Sequence, residues 1–261
     1  MKIGIIGAGN MGGAIARGLA ADPDFCTADI TVCSPNNHGE LDALKADYPD
    51  MNVDTDNEKA ILGTDIIILA VKPWLVYDVM DPLSPKIQWE KQMLVSVVAG
   101  VTLSQLEDLS LCTPTGSGHL MPNTAIAVRK SMTFICSIGA SDEQVKCVSD
   151  IFSRLGSVMV IDENQMTACM ALASCGIAYA MRYVRAASEG GVELGVKADL
   201  AKDIVLQTMQ GAAALLQATG AHPEVEIDKV TTPGGITIKG LNAMEAHGFT
   251  TSVIEGLKAS K

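Results

Sequence analysis

KIGIIGAGNMG, residues 2–12, decides how the rest of the chain is read. A short apolar run enters the turn Gly7-Ala8-Gly9-Asn10-Met11-Gly12, and residues 12–21 continue with helical spacing. A GxGxxG turn between a buried strand and a helix is the context in which this pattern binds a dinucleotide; without a ligand it would be a plain glycine-rich turn. The first glycine permits the tight turn, the second lets backbone approach a pyrophosphate, and the third lets helix and strand pack closely. Free N–H groups at the helix start then hold the phosphates. Ile6, Gly7, Ala8, Gly9, Asn10 and Met11 are therefore expected to bind a cofactor.

Outward from this turn the first half alternates apolar runs with helical stretches. Strands are expected at residues 30–33, 51–53, 64–71 (TDIIILAV), 93–98 (MLVSVV), 131–136 and 157–161, with a helix at 41–46. Continuous apolar runs without polar alternation mark strands buried on both faces. The alternation predicts an α/β, doubly wound, mostly parallel Rossmann-like domain over residues 1–162. From residue 163 strand-like runs vanish, predicting an all-α domain over 163–261. A long buried helix is expected at 163–190, stopped by Gly190-Gly191. A second is expected at 199–219, with Asp199 as N-cap and Gly220 as stop, and further helices at 237–246 and 251–258. The methionines of this half read as core. Its helices are apolar around much of their circumference, so either the first domain or a second subunit covers them. The expectation is a homodimer through these helices, with a larger homo-oligomer left open.

The net charge of −11 disfavours a nucleic-acid partner, because polyanions need clustered cations. The seven cysteines contain no CxxC and read as free, packing thiols in a reducing compartment. The four histidines lack metal-ligand spacing, so no metal is expected. The N-terminus reads as a strand and not a secretory signal, and no apolar run reaches the roughly 18 residues of a membrane span. The expected partner is a small-molecule substrate and the expected location cytoplasmic.

An acid at the tip of the second strand would bind the adenine ribose hydroxyls. Here the strand ends Cys33-Ser34-Pro35-Asn36-Asn37, and the first carboxylate is Glu40. Ser34 and Asn36 can accept a 2′-phosphate, though no Arg follows. The reading is NADPH, with NADH also open. Ala70-Val71-Lys72-Pro73 and Val98-Ala99-Gly100 lie at strand ends, where such folds bind ligands. Lys72 there either meets phosphates or stays solvated, and Gly100 permits close approach to the backbone.

The order GxGxMG, AVKP, VVAG, MPN (Met121-Pro122-Asn123) and TPGG-x-T (Thr232-Pro233-Gly234-Gly235-Ile236-Thr237) resembles the Δ1-pyrroline-5-carboxylate reductase family. The resemblance implies a two-domain fold, an intertwined helical dimer and reduction of a cyclic imine to proline. It implies that the glycine turn, Asn57 and Ala70, Val71, Lys72 and Pro73 bind the dinucleotide. It places Met121, Pro122 and Asn123 beside the nicotinamide, and Thr232, Gly234, Gly235, Ile236 and Thr237 on the substrate. Consecutive N–H groups at that glycine-rich helix start suit a carboxylate. Thr237 either hydrogen-bonds the imine nitrogen or caps the helix, and Asn123 either orients the nicotinamide amide or a water or is a satisfied core residue. The chain departs from the family at His119, where an Arg is usual, at Thr124-Ala125, where Thr-Pro is usual, and at ASCGIAY, residues 173–179, where SGSGPAY is usual. His119 reads as a surface or loop histidine, with a proton relay as the alternative. A β-hydroxyacid dehydrogenase would use a Lys on the long helix, but none occurs between Lys146 and Lys197. Another imine reductase and a non-catalytic dinucleotide sensor remain the other readings.

Overall fold

A computed structural model describes residues 1–109 and 117–260. The chain forms two compact units, Met1–Ser174 and Cys175–Lys261. The division by contacts falls after Ser174, and Met166 is buried with the first unit's core.

The first unit runs β1 (Ile3–Ile6), α1 (Asn10–Ala20), β2 (Ile30–Cys33), α2 (His38–Asp47), β3 (Asn52–Asp54), β4 (Ile66–Leu69), α3 (Val76–Leu83), β5 (Met93–Ser96) and α4 (Leu103–Leu109). It continues with β6 (Ser117–Met121), β7 (Ser131–Ile138), α5 (Asp142–Ser153), β8 (Gly156–Val160) and α6 (Met166–Met170). The described strands form one eight-stranded sheet, ordered β3-β2-β1-β4-β5-β6-β7-β8. Every pairing is parallel except β6 with β7. The expected doubly wound domain is therefore present, with β6 and its antiparallel pairing added to the strands read from sequence.

Period-2 alternation sends each strand's side chains to opposite faces. On β4, Ile66 and Ile68 join one apolar cluster while Ile67 and Leu69 join the other. The first cluster also takes Ile15 and Leu19 of α1, Leu41 and Leu44 of α2, and Ile151 and Phe152 of α5. The second takes Val76, Met80 and Leu83 of α3, Leu103 and Leu106 of α4, and Met166 of α6. Helices on both faces explain the continuous apolar runs: β1 and β4 are buried throughout, whereas the edge strands β3 and β8 are partly exposed.

One carboxylate is buried with this core. Asp22, 3% exposed, follows α1 and meets Arg154 Nη1 at 3.1 Å and Arg129 Nη2 at 3.7 Å. Burial pushes its pKa up, but the Arg154 hydrogen bond, the Asp24 N–H and both guanidiniums together hold it below the usual carboxylate value. Arg129 Nε also donates to Arg154 O at 2.9 Å, tying the two cations together.

The cysteines divide by environment. Cys33 and Cys136 are buried, and burial foremost raises their pKa to about 12 and about 11, so they are inert packing thiols. Cys26 is exposed, against the expectation that it packs, and Cys112 lies outside the described residues.

The second unit holds α7 (Gly176–Glu193), α8 (Ala198–Thr219), α9 (Pro223–Val230), α10 (Ile236–Ala246) and α11 (Phe249–Lys258). A π turn, Ala171–Cys175, joins α6 to α7. The expected stop at Gly190-Gly191 is wrong: α7 continues to Glu193, and Gly195 at φ +93° follows it. Gly191 serves packing instead, because a Cβ there would lie 3.0 Å from the Ala201 Cβ of α8. Asp199 is not the N-cap of α8. Lys197 holds that position and Asp199 lies in the first turn, where its charge favours the helix dipole. Gly220 ends α8 at φ +61°, as expected.

Among the described residues of this unit only Ala201 is buried. The expected buried long helix has no buried residue in α7, and Met181 is 60% exposed, not core. The apolar faces are real, but this chain alone does not cover them. None of the described helices is long and apolar enough to cross a membrane.

The tightest approach in the sheet unit generates a stability prediction. A Cβ on Gly4 of β1 would lie 1.7 Å from the Ala60 carbonyl oxygen, backbone against backbone. Gly4→Ala is expected to cost about 2–3 kcal/mol by overpacking. Urea unfolding read by circular dichroism measures it, and a midpoint equal to wild type would refute the contact.

Candidate active site

The chain leaves β1 toward β2 on one side and returns to β4 on the other. That reversal opens a crevice at the carboxyl ends of the strands, where doubly wound sheets bind ligands. The strand tips are stitched together there. Gly7 N donates to Cys33 O at 2.7 Å, Ala70 N to Ile6 O at 2.8 Å, and Val97 N to Leu69 O at 3.0 Å. Gly7 turns at φ +107°, and a Cβ on it would lie 2.6 Å from Ala70 O. A Cβ on Gly12 would meet Gly7 O at 1.9 Å, while one on Gly9 would meet nothing within 4 Å. Gly7 and Gly12 thus seat α1 against the sheet, and Gly9 keeps open the space above its N-terminus. Gly9 is the N-cap and has no side chain to satisfy the first-turn N–H groups, which are left for an anion.

The expected cofactor residues differ in exposure. Ala8 and Ser34 are buried, and Asn37 Nδ2 donates to Ala8 O, holding the turn from below. Ala70 and Val71 are half-buried, whereas Lys72, Pro73, Ala99 and Gly100 are exposed. Gly100 adopts φ +79°. Asn57 opens a short 3-10 turn, Asn57–Ala60, and its buried Oδ1 has no hydrogen-bond partner. A buried acceptor without a donor is costly. That orphan, the open space at Gly9 and the uncapped α1 form a donor and acceptor set that fits a dinucleotide.

The stretch from Thr232 to Thr237 belongs to the second unit. Gly235 N donates to Thr232 O at 2.9 Å, with Pro233 and Gly234 between them and Gly234 at φ +72°. Proline followed by a positive-φ glycine is the type II pattern. Gly235 is the N-cap of α10, so Thr237 does not fill that position. Thr237 sits exposed in the first turn, and Ile236 is 86% exposed. The turn therefore presents the uncapped N–H groups of α10.

The MPN stretch leaves the carboxyl end of β6, which runs parallel to β5. Asn123 Oδ1 accepts from Ala125 N at 3.0 Å and caps the 3-10 turn Thr124–Val128. Its backbone N–H donates to Ser131 Oγ, which bonds Thr133 Oγ1 at 3.0 Å. Ser174 Oγ, in the π turn, donates to Pro122 O at 3.1 Å. Ser131 and Ser174 thus position MPN, a role for which neither carries a sequence signal.

His119 corrects its sequence reading. It lies in β6, only 4% exposed, and not on a surface or loop. Its Nε2 faces Val98 O at 3.1 Å; a carbonyl only accepts, so Nε2 carries the hydrogen. The imidazole anchors the strand end that leads into Ala99 and Gly100. Burial foremost lowers its pKa from 6.5, outweighing the Val98 carbonyl and Glu163. In the unfolded chain this histidine takes up its proton near 6.5, and in the folded chain only at lower pH. Its neutral burial is therefore fully tolerated above 6.5 and costs stability as pH falls below it, by at most about 1.4 kcal/mol per pH unit. Urea midpoints at descending pH are expected to fall less steeply in His119→Gln than in wild type. Parallel curves would show that His119 titrates freely.

The sequence matches a family described as pyrroline-5-carboxylate reductase dimerisation over residues 163–261, and one described as NADP oxidoreductase coenzyme F420-dependent over residues 2–100. Pyrroline-5-carboxylate reductase 1 of Dictyostelium discoideum is 37% identical over 99% of this chain, which spans 48% of that relative. Pyrroline-5-carboxylate reductase 2 of the same organism is 34% identical over 99% of this chain and 90% of the relative. Among solved structures, Plasmodium falciparum pyrroline carboxylate reductase with NADP bound aligns at TM-score 0.89 and 27% identity, covering 100% of this chain and 95% of that one. The motif resemblance is borne out across the whole length: this chain belongs to the pyrroline-5-carboxylate reductase family.

Proposed function

We propose that this protein reduces 1-pyrroline-5-carboxylate to L-proline with NADPH, and accepts NADH less readily. Full-length similarity to pyrroline-5-carboxylate reductases carries the reading. The bound dinucleotide would supply the hydride for the imine carbon. The N–H groups from Asn10 onward, at the start of α1, would hold the pyrophosphate. Asn57 would accept from the nucleoside, and Ala70, Val71, Lys72 and Pro73 with Ala99 and Gly100 would line the rest of the dinucleotide's path. Met121, Pro122 and Asn123 would bound the nicotinamide end.

The α10 turn suits the other reactant. Its uncapped N–H groups match a carboxylate, drawn to the positive end of the helix. Thr237 is left uncommitted by the cap, and its hydroxyl would orient the imine nitrogen. An imine that arrives protonated from water needs no strong acid from the protein, so orientation and charge placement are the protein's share of catalysis. The reducing compartment that suits the buried free thiols is the cytoplasm.

We assign the working form as a homodimer through the helical unit. A unit with one buried residue cannot offset its conformational entropy by its own packing. Leu194 at 87% exposure and Leu200, Ile204, Val225 and Val230 near half exposure or above need covering. The matching dimerisation family supports a second copy as the cover.

Initial rates of NADPH and NADH oxidation, with and without pyrroline-5-carboxylate, test the reaction. Turnover is expected with the imine, faster with NADPH. Thr237→Ala is expected to lower kcat/KM by about 10- to 100-fold, the worth of a hydrogen bond to a charged group. Tight dinucleotide binding without turnover would reject the proposal. Sedimentation equilibrium is expected to give at least twice the 27.3 kDa chain mass, and a stable monomer would reject the dimer.

A further inference from the structure

The tip of β2 offers Ser34, Asn36 and Asn37 but no cation. A 2′-phosphate placed there needs a counter-charge from elsewhere. A cavity of about 370 Å³ lies beside the glycine turn, lined by Gly9, Asn10, Arg17, Asn37 and Glu40 among others. It joins the phosphate-binding end of α1 to the start of α2.

Asn10, Ala14 and Arg17 recur at helical spacing and share the face of α1 that lines this cavity. Arg17 is seven residues into the helix, roughly 10 Å along its axis from Asn10. Side chains on a helix lean toward its N-terminus, so the long Arg17 stem reaches back toward the phosphate-binding end. There the guanidinium is ion-paired with Glu40, the two side chains being 29% and 26% exposed. Gly13 lets the pair lie against the helix, since a Cβ on it would fall 2.2 Å from Glu40 Oε1 and 3.1 Å from Arg17 Nη1. Among the residues lining the cavity, Arg17 is the cation and Glu40 the anion.

We infer that Arg17 and Glu40 act together as the coenzyme discriminator: Arg17 is the counter-ion for an adenosine 2′-phosphate, and Glu40 restrains it and accepts from a 2′-hydroxyl. The inference rests on the dinucleotide reading of the glycine turn. The guanidinium has five N–H donors and Glu40 occupies one end of it, leaving others for phosphate oxygens. Glu40 serves both dinucleotides in opposite senses. Its charge repels a 2′-phosphate, yet it is the acceptor that a ribose hydroxyl needs. The chain's preference is the balance of this half-buried pair, and small changes to either member tip it.

Calorimetric titration of NADP⁺, NAD⁺ and 2′,5′-ADP into wild type, Arg17→Met and Glu40→Gln tests this without turnover. Arg17→Met is expected to weaken NADP⁺ and 2′,5′-ADP about tenfold or more while leaving NAD⁺ within about threefold. Glu40→Gln is expected to move the other way, tightening NADP⁺ and weakening NAD⁺ by about three- to tenfold each. Its shape matches glutamate, so it carries the test if Arg17→Met does not fold. A structural role alone would weaken both dinucleotides in parallel in either variant, and that result would overturn the inference. So would a NADP⁺ to NAD⁺ affinity ratio unchanged in both variants while wild type binds both, which would leave the dinucleotide reading standing. Wild type that binds neither would overturn that reading and the inference with it.

Discussion

The architecture depends on backbone packed directly against backbone around β1 and α1. Four glycines make this possible. A side chain on Gly4 would strike Ala60, on Gly7 would strike Ala70, on Gly12 would strike Gly7, and on Gly18 would strike Ile126, each at a carbonyl oxygen. The contacts at Gly7 and Gly12 seat the N-terminus of α1 at the crevice between β1 and β4, the one at Gly18 seats its far end on Ile126, and the one at Gly4 packs the opposite face of the sheet. The proposed phosphate site rests on that placement of α1. Apolar mass alone would not achieve it, because Ile15 and Leu19 could pack on a sheet with α1 displaced or rotated.

How much of this was legible depended on whether a residue's environment is written in its neighbours. The apolar run Ile66–Leu69 of β4 cannot satisfy water on either face, and GxGxxG between such a strand and a helix is a dinucleotide-binding context, so fold and turn were readable. Strand β6 was not, because SGHLM mixes glycine, a polar ring and apolar groups without a period. Its identity comes from pairing with β5 and β7, which no local pattern records. The same gap misplaced His119. An imidazole looks solvent-facing until Val98 O is brought to it from 21 residues away. At Gly190-Gly191 the usual reading of paired glycines as a stop was overridden by packing, since Gly191 makes room for Ala201. Ser131 and Ser174 escaped notice because a serine that holds another loop's backbone looks like any other serine.

The two units reach stability differently. The sheet unit buries isoleucine, leucine and phenylalanine on both faces, and each fully buried one contributes about 1.5–3 kcal/mol. The helical unit has helix-forming sequence, good stops and a close α7–α8 contact, yet almost nothing inside it. Local propensity specifies its helices, while its apolar surface makes its folding free energy depend on association. That division also explains why most of its helices, though not α9, were readable and its burial was not: periodicity reports an apolar face, and says nothing of which molecule covers it.

The salt-linked Asp22 has a consequence for the order in which the chain folds during synthesis. Strands β1, β2, β3 and β4 lie within the first seventy or so residues, so one half of the sheet is made early. Asp22 is made with them, but its hydrogen-bonded partner Arg154 stands 132 residues further along. Until Arg129 and then Arg154 leave the ribosome, the carboxylate at the base of α1 has neither guanidinium to neutralise it and favours water over the interior. The late C-terminal part of the same unit, bringing Arg129 and then Arg154, acts as the latch on that carboxylate.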